Sequence, residues 1–134
     1  MRSPLMVLLC LVGISLSAHA VLDEQEYSLR YRQCQEKAMS TADIIDCMAA
    51  ENKRQDKRLN TAYQQLHGAL SSDRQQVLLE AQRLWIQYRD ANCAFYHDPE
   101  GGTNARIHAN QCVLDTTAAR AQELEDLGEP EEAE

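Results

Sequence analysis

The chain has 134 residues, of which 13 are basic and 21 acidic, giving a formal net charge of −8. This acidic excess argues against a nucleic-acid partner or an anionic membrane surface, because both select basic patches. It favours solubility and attraction towards a basic partner. The length is enough for one small domain and too short for two.

The first twenty residues have the pattern of a secretory signal peptide. Arg2 precedes an apolar run over residues 5–16, and Ala18-His19-Ala20 supplies a small-x-small cleavage site. The run is too short to cross a bilayer as a helix. We therefore expect a signal peptide over residues 1–20, a mature domain over residues 21–127 without a membrane span, and a periplasmic or secreted location.

The domain is predicted to be all-α, an antiparallel bundle of about four helices. Only one proline and three glycines interrupt it, and no segment alternates with period two. The first helix has one face formed by Tyr27, Tyr31, Cys34 and Ala38. Ser40, with Asp43 three residues later, predicts the start of the second helix.

The second helix is amphipathic but has a polar centre. Its apolar stripe consists of Ile45, Met48, Leu59, Ala62, Leu66 and Ala69. The segment between Glu51 and Arg58 interrupts this stripe, so it is expected to be solvated or to mark an opening of the bundle. Gly68 and Ser71-Ser72 end the helix, and Ser72 with Gln75 predicts the next capping box.

The third helix shows the strongest apolar repeat, and its stripe is expected to be core. The members are Leu78, Ala81, Trp85, Tyr88, Asn92 and Phe95, widened by Val77 and Leu84. Arg89-Asp90 is expected to form surface ion pairs. The last helix is predicted from about Asn104, with inward residues at Val113, Thr117, Ala121 and Leu124. Residues 128–134 are acidic, lack an apolar pattern and are expected to be a disordered tail.

Four cysteines remain after Cys10 leaves with the signal peptide. Cys10 follows two leucines rather than the small residues that lipidation requires, so a lipid anchor is not expected. An even number in a small exported domain indicates two disulfides, with three possible connectivities. Each sequential pair, Cys34–Cys47 and Cys93–Cys112, brackets one helix–helix turn. The hairpin layout therefore favours these two pairs.

Metal and catalytic chemistry are weakly supported. His97 and His108 stand near Cys93 and Cys112, which is compatible with zinc, but disulfides are the better use of cysteines in an exported chain. Oxygen ligands between Asp98 and Asn104 lack the spacing of an EF-hand. No hydrolase elbow, zinc-protease motif or phosphate loop occurs. We expect no catalytic residue, no metal and no cofactor.

Several short motifs occur together in a fixed order. They are Cys34 and Cys47, Asp56-x-x-Leu59-Asn60-x-x-Tyr63, Ala81-Gln82-x-x-Trp85-Ile86-x-Tyr88-Arg89-Asp90-x-x-Cys93, Gly101-Gly102-Thr103, Cys112, and Thr117-x-x-Arg120-x-x-x-Leu124. This set resembles the LprI-like lysozyme inhibitor domain, a family of small exported bacterial proteins, from Cys34 to about Leu124. The resemblance implies a helical domain of the cell envelope that inhibits lysozyme.

The turn between the last two helices is the candidate partner-binding site. Lysozymes of the host type are basic and carry two carboxylates in a polysaccharide cleft. An inhibitor that blocks this cleft has to insert a narrow, rigid segment into it. The loop from His97 to Thr103 is narrow, and the Cys93–Cys112 bridge is expected to stiffen it. Its candidate contact residues are His97, Asp98, Glu100, Gly101, Gly102 and Thr103. Trp85 and Tyr88 are expected to support the loop from the core.

Two functional hypotheses follow from the sequence. In the first, the protein is a periplasmic inhibitor of a basic, lysozyme-like enzyme that cleaves peptidoglycan. In the second, it is an envelope interaction protein, such as an immunity or stress factor, with a partner other than a lysozyme. The oligomeric state is left open by the sequence.

Overall fold

The computed structural model describes residues 27–129 and contains four helices: α1 (Leu29–Lys37), α2 (Thr41–Ala69), α3 (Ser72–Phe95) and α4 (Gly102–Gly128). No strand occurs among these residues, which confirms the predicted all-α bundle. The predicted signal peptide and the tail beyond residue 129 lie outside the described residues.

The start of α2 follows the predicted cap. Ser40 Oγ accepts a hydrogen bond from the Asp43 backbone N–H at 3.1 Å. The Asp43 carboxylate in turn accepts one from the Met39 N–H at 3.0 Å. Two backbone donors that the helix cannot satisfy are therefore paired locally, and the chain turns sharply between α1 and α2.

The start of α3 differs from the prediction. Its N-cap is Ser71, whose side chain makes no capping hydrogen bond, so the Ser72–Gln75 capping box is wrong. Gln75 instead donates its side-chain amide to the carbonyl oxygens of His67, at 2.9 Å, and Leu70, at 3.1 Å. The glutamine thus satisfies carbonyls at the end of α2 and secures the short link between the two helices.

Two disulfides fix two antiparallel hairpins, as predicted. Cys34–Cys47 joins α1 to α2 with Cα atoms 5.8 Å apart, and Cys93–Cys112 joins α3 to α4 with Cα atoms 5.4 Å apart. The hairpins are assembled through α2 and α4, which form the most extensive helix–helix contact. These two helices run in the same direction: the Tyr27-Ser28 segment bonds to Glu51 of α2 and Asp115 of α4, and farther along both helices Arg58 meets Glu125.

The core lies between α2 and α4. From α2 come Met48, Leu59, Ala62 and Leu66, and from α4 come Ala105, Ala109, Leu114, Ala118, Ala121 and Leu124. Four of the six α4 residues are alanines, whose small side chains allow the two helix axes to approach closely. The expected inward positions Thr117, Ala121 and Leu124 are buried, and Val113 is half-buried.

Two side chains in the polar centre of α2 are buried, whereas others, such as Lys53 and Asp56, are solvated as expected. Glu51 is 3% exposed and Gln55 is fully buried, and Ser28 at the start of α1 contacts Glu51 directly. The Glu51 carboxylate accepts hydrogen bonds from the Ser28 backbone N–H at 3.0 Å and the Ser28 hydroxyl at 2.5 Å. It also accepts from Arg54 and Gln55, each at 2.9 Å. We call these four residues the Glu51 cluster.

The Glu51 cluster keeps its carboxylate ionised. Burial by itself raises the pKa of Glu51, but the hydrogen bonds from Arg54 and Ser28 outweigh it and lower the pKa to about 2. Ser28 Oγ also caps α1 by accepting from the Tyr31 N–H at 3.1 Å. One serine therefore couples the first turn of α1 to the interior of α2.

The expectation that the α3 stripe is core is wrong for half of its members. Leu78 is buried and Trp85 is half-buried against the core, but Tyr88 is 61% exposed and Phe95 is 84% exposed. The physical reason is that α3 packs sparsely, and mainly against α4. One neighbouring helix covers only one edge of a wide apolar face. Tyr88 therefore does not support the loop from the core.

Candidate partner-binding site

The α3–α4 connection is a short, hydrogen-bonded turn. After α3 ends, the N–H of Tyr96 bonds to the Cys93 carbonyl at 3.2 Å, and the N–H of His97 bonds to the Ala94 carbonyl at 3.0 Å. The Gly101 N–H then bonds to the Asp98 carbonyl at 3.1 Å. This is the i+3 to i bond of a β-turn, and the Asp-Pro-Glu-Gly order suits it because proline presets the second position.

Two glycines determine how the turn enters α4. A Cβ atom on Gly101 would lie 2.7 Å from the Ala105 Cβ, closer than two such atoms can approach. Gly102 has a φ of 61°, in the left-handed region that favours glycine. Because of these glycines α4 begins at Gly102, two residues before the predicted start, and Thr103 belongs to its first turn.

The candidate residues form one continuous exposed surface. All positions from 94 to 104 are exposed. The Asp98 side chain accepts a hydrogen bond from the Glu100 backbone N–H at 2.9 Å, which holds the turn in shape. The side chains of His97 and Glu100 make no hydrogen bond or ion pair with other residues in the described range, so they are available to a partner.

The first turn of α4 adds backbone donors to this surface. Gly101 is the N-cap and has no side chain to cap the helix, and no acidic residue lies in the first turn. The N–H groups of Gly102, Thr103 and Asn104 therefore face outward without an intrahelical acceptor. Together with the helix dipole, they favour a carboxylate as the group that approaches them.

The disulfide braces the turn from one side only. Cys93 lies close to the end of α3, whereas Cys112 lies near the middle of α4. The bridge therefore fixes the last turn of α3 on the flank of α4. The remaining stiffness of the turn comes from its own hydrogen bonds and from the close packing of Gly101 on Ala105. With Cys93 and Cys112 bonded to each other, the zinc alternative loses its thiolates.

The sequence interpretation missed two aromatic residues beside the turn. Phe95 is 84% exposed and Tyr96 is 46% exposed, and their rings pack edge to face with centroids 5.8 Å apart. Phe95 had been assigned to the core because it continues the α3 repeat. Cys93 in the same turn is buried, so Phe95 is exposed because of the side of α3 on which it lies, and the repeat alone gives no signal for this.

At two charged surfaces outside the turn, the charged side chains are engaged within the protein. On α4, Glu123 pairs with Arg120 at 2.7 Å, and Asp126 accepts from Gln122 at 2.7 Å. A cleft of about 360 Å³ beside α1 is lined by Tyr27, Ser28, Leu29, Arg32, Arg54 and Arg58. Its three arginines are also engaged: Arg32 donates to the Tyr27 carbonyl, Arg54 pairs with Glu51, and Arg58 pairs with Glu125. The turn is thus better suited to an external partner than these surfaces.

Within residues 27–129, no helix combines the length and apolar content needed to cross a membrane. An uncharacterized protein of Rhizobium meliloti (strain 1021) is 28% identical over 110 residues, which cover 72% of this chain and 79% of that protein. No solved structure matches the chain. The family model for the lysozyme inhibitor LprI matches residues 32–124, a segment that includes both disulfides and the candidate turn. The chain therefore belongs to the lysozyme inhibitor LprI family.

Proposed function

We propose that this protein is a periplasmic inhibitor that binds a basic, lysozyme-like enzyme and blocks its active-site cleft with the α3–α4 turn. Membership of the lysozyme inhibitor LprI family is the observation that carries the inhibitory function. The exposed, internally hydrogen-bonded turn supports the assignment of the contact surface. The periplasmic location is supported by the signal-peptide pattern of residues 1–20.

The chemistry of the turn suits the cleft of such an enzyme. The three outward N–H groups at the start of α4 can donate hydrogen bonds to the carboxylates that cleave the polysaccharide. The exposed imidazole of His97 supplies a side-chain donor on the same surface. Because the turn is already ordered in the free protein, binding pays little conformational entropy.

The overall charge favours the encounter. At a net charge of −8, the protein attracts a basic enzyme over a distance of about one Debye length. The long-range attraction comes from the whole molecule, while the short-range contacts come from the turn. These two contributions affect different rate constants and can therefore be separated experimentally.

The test is inhibition of cell-wall lysis, followed as loss of turbidity. Purified protein is expected to slow lysis by a basic lysozyme. Gly101→Ala should raise the inhibition constant on the order of tenfold or more, because the added Cβ would overlap Ala105 and displace the turn. Gly68→Ala is the matched control, since a Cβ there meets no atom within 4 Å.

A second matched pair tests the side-chain contact. His97→Ala removes an exposed imidazole from the turn, whereas His108→Ala removes an exposed imidazole from α4. Only the first should weaken inhibition, and both variants should keep the helical circular dichroism of the parent. If the parent protein leaves lysis unchanged for basic lysozymes, the protein has a partner other than a lysozyme and the proposal is wrong.

A further inference from the structure

Beside the edge of α3 that packs against the bundle runs a continuous apolar row. We call this row the outer stripe; its members are Val77, Ala81, Leu84, Tyr88, Ala91 and Phe95. All six are exposed, and the four large ones are between 55% and 84% exposed. Among residues 27–129, no element covers the stripe.

The outer stripe has the spacing of a coiled-coil seam. From Val77 to Phe95, its members follow one another at intervals of four and three residues, which is the spacing of a and d positions. Single exposed apolar residues are common on protein surfaces, but an unbroken row about 27 Å long on one helix is typical of an interface.

We propose that the outer stripe is the interface of an antiparallel homodimer, in which α3 packs against α3 of a second copy of this chain. The sizes of its side chains read the same from both ends: large, small, large, large, small, large. A twofold axis at the level of Ile86 sets Ala81 opposite Ala91 of the second copy. The same axis sets Leu84 opposite Tyr88 and Val77 opposite Phe95. The stripe is therefore complementary to itself, as an isologous interface requires.

Charge also favours a second copy over other occupants. The chain is strongly acidic, so most surfaces of two copies repel each other. In contrast, α3 carries three acidic and three basic residues, namely Asp73, Glu80, Asp90, Arg74, Arg83 and Arg89. Arg89 and Asp90 pair within the helix at 2.8 Å. Because α3 as a whole carries no net charge, it can meet a second copy of itself without the repulsion expected elsewhere on this acidic chain, and it offers no net negative charge to attract a basic enzyme.

The dimer goes beyond the proposed inhibitory function and does not depend on it. The α3–α4 turn lies at the C-terminal end of α3. An antiparallel pair of α3 helices about this axis therefore puts the two turns at opposite ends of the seam, roughly 30 Å apart. Such a dimer presents two turns to two separate enzyme molecules.

The first experiment measures the mass of the full-length secreted protein in solution by sedimentation over a range of concentrations. We expect a dimer for the parent. In Leu84→Glu the dimer dissociation constant should rise on the order of 100-fold, because a carboxylate would be buried without a partner. Ile86→Glu is the matched control: Ile86 is also an exposed apolar residue, but it lies about 200° around the helix from Leu84. It should dimerise like the parent.

The second experiment determines the register of the two α3 helices in the dimer, and it uses substitutions that do not destabilise the interface. Ala81→Cys protein mixed with Ala91→Cys protein should form a disulfide-linked dimer under mild oxidation. Ala81→Cys alone should not, because the two equivalent positions lie about 15 Å apart in an antiparallel pair, beyond disulfide reach. Peptide mapping then identifies the new bridge and checks that both native disulfides are intact.

The outcomes separate this proposal from the inhibitory one. A parent protein that stays at the mass of one chain at hundreds of micromolar contradicts the dimer, as does a cross-link formed by Ala81→Cys alone. If the protein stays monomeric while Leu84→Glu abolishes inhibition, the stripe binds the enzyme and the dimer is wrong. A dimer that forms in protein without inhibitory activity upholds the dimer and contradicts only the proposed function.

Discussion

Glu51 is an ionised carboxylate in the interior of a small helical bundle. Its pKa is lowered from 4.5 to about 2 by the hydrogen bonds of Arg54 and Ser28, which outweigh the effect of burial. Because the pKa of the folded state lies below that of the unfolded chain, ionised Glu51 stabilises the fold. A shift of this size corresponds to about 3 kcal/mol, which is fully present above pH 4.5 and is lost as the pH falls towards 2.

We therefore predict that Glu51→Gln lowers the free energy of unfolding by about 3 kcal/mol at pH 7. The variant should also lose less stability than the parent between pH 4.5 and pH 2, since it has no carboxylate to protonate at this site. Urea unfolding at a series of pH values measures both effects. Glu36→Gln, at an exposed position of α1, is the control. Parallel pH curves for parent and Glu51→Gln would contradict the assignment.

At the scale of the element, α1 depends on its connections rather than on packing. It has no buried residue, and it is held by the Cys34–Cys47 bridge and by the Glu51 cluster. We predict that replacing Cys34 and Cys47 with serine detaches α1, since a bridge across a loop of this size contributes about 3 kcal/mol. Hydrogen exchange should then accelerate over residues 29–37 while α2 and α4 remain protected.

Removal of the Cys93–Cys112 disulfide is the matched comparison for removal of Cys34–Cys47. Replacing Cys93 and Cys112 with serine should accelerate exchange in α3, which packs sparsely against α4, and leave α1 unchanged. Hydrogen exchange should thus accelerate in α1 for one double variant and in α3 for the other. Unaltered protection of residues 29–37 in the Cys34 and Cys47 variant would mean that hydrogen bonds alone hold α1.

The sequence predicts the helix boundaries and hairpins better than it predicts which helix faces are buried. Ser40 and the cysteine spacing are local signals, and they correctly predicted the α2 cap and both hairpins. The α3 repeat correctly predicted a helix but not which part of it is covered. Leu78 and Ala81 lie about 60° apart around α3, and α4 covers only the first. Burial of a wide apolar face depends on how many helices reach it, which periodicity does not encode.

The candidate turn was predictable to a similar degree. The Asp98-Pro99 pair and the two glycines indicate a tight turn from sequence alone, and the structure has one. The requirement for glycine at position 101 arises because any Cβ there would overlap Ala105. This overlap depends on the angle at which the chain enters α4, which the sequence does not indicate. The exposed Phe95 was missed for the reason that applies to α3 as a whole.

For the whole molecule, charge and turn should affect different stages of binding to a basic enzyme. We predict that neutralising exposed acids of α4, as in Glu123→Gln with Asp126→Asn, slows association a few-fold at low salt and flattens its salt dependence. Dissociation should stay the same, since these side chains lie far from the turn along the helix. Gly101→Ala should instead speed dissociation and leave association nearly unchanged, because the turn acts only once the surfaces have met.

Surface plasmon resonance with immobilised lysozyme at several salt concentrations separates the two rate constants. The Glu123 and Asp126 carboxylates bond to Arg120 and Gln122 within α4, so circular dichroism of the double variant has to be checked against the parent.

If turn variants bind and inhibit as well as the parent while the α4 variant dissociates quickly, the acidic face of α4 is the contact surface and the turn only reverses the chain. If both rate constants of every variant equal those of the parent, neither surface contacts the enzyme. A faster dissociation confined to the turn variants, with salt dependence confined to the α4 variant, is the result that a preformed turn on an acidic helical scaffold requires.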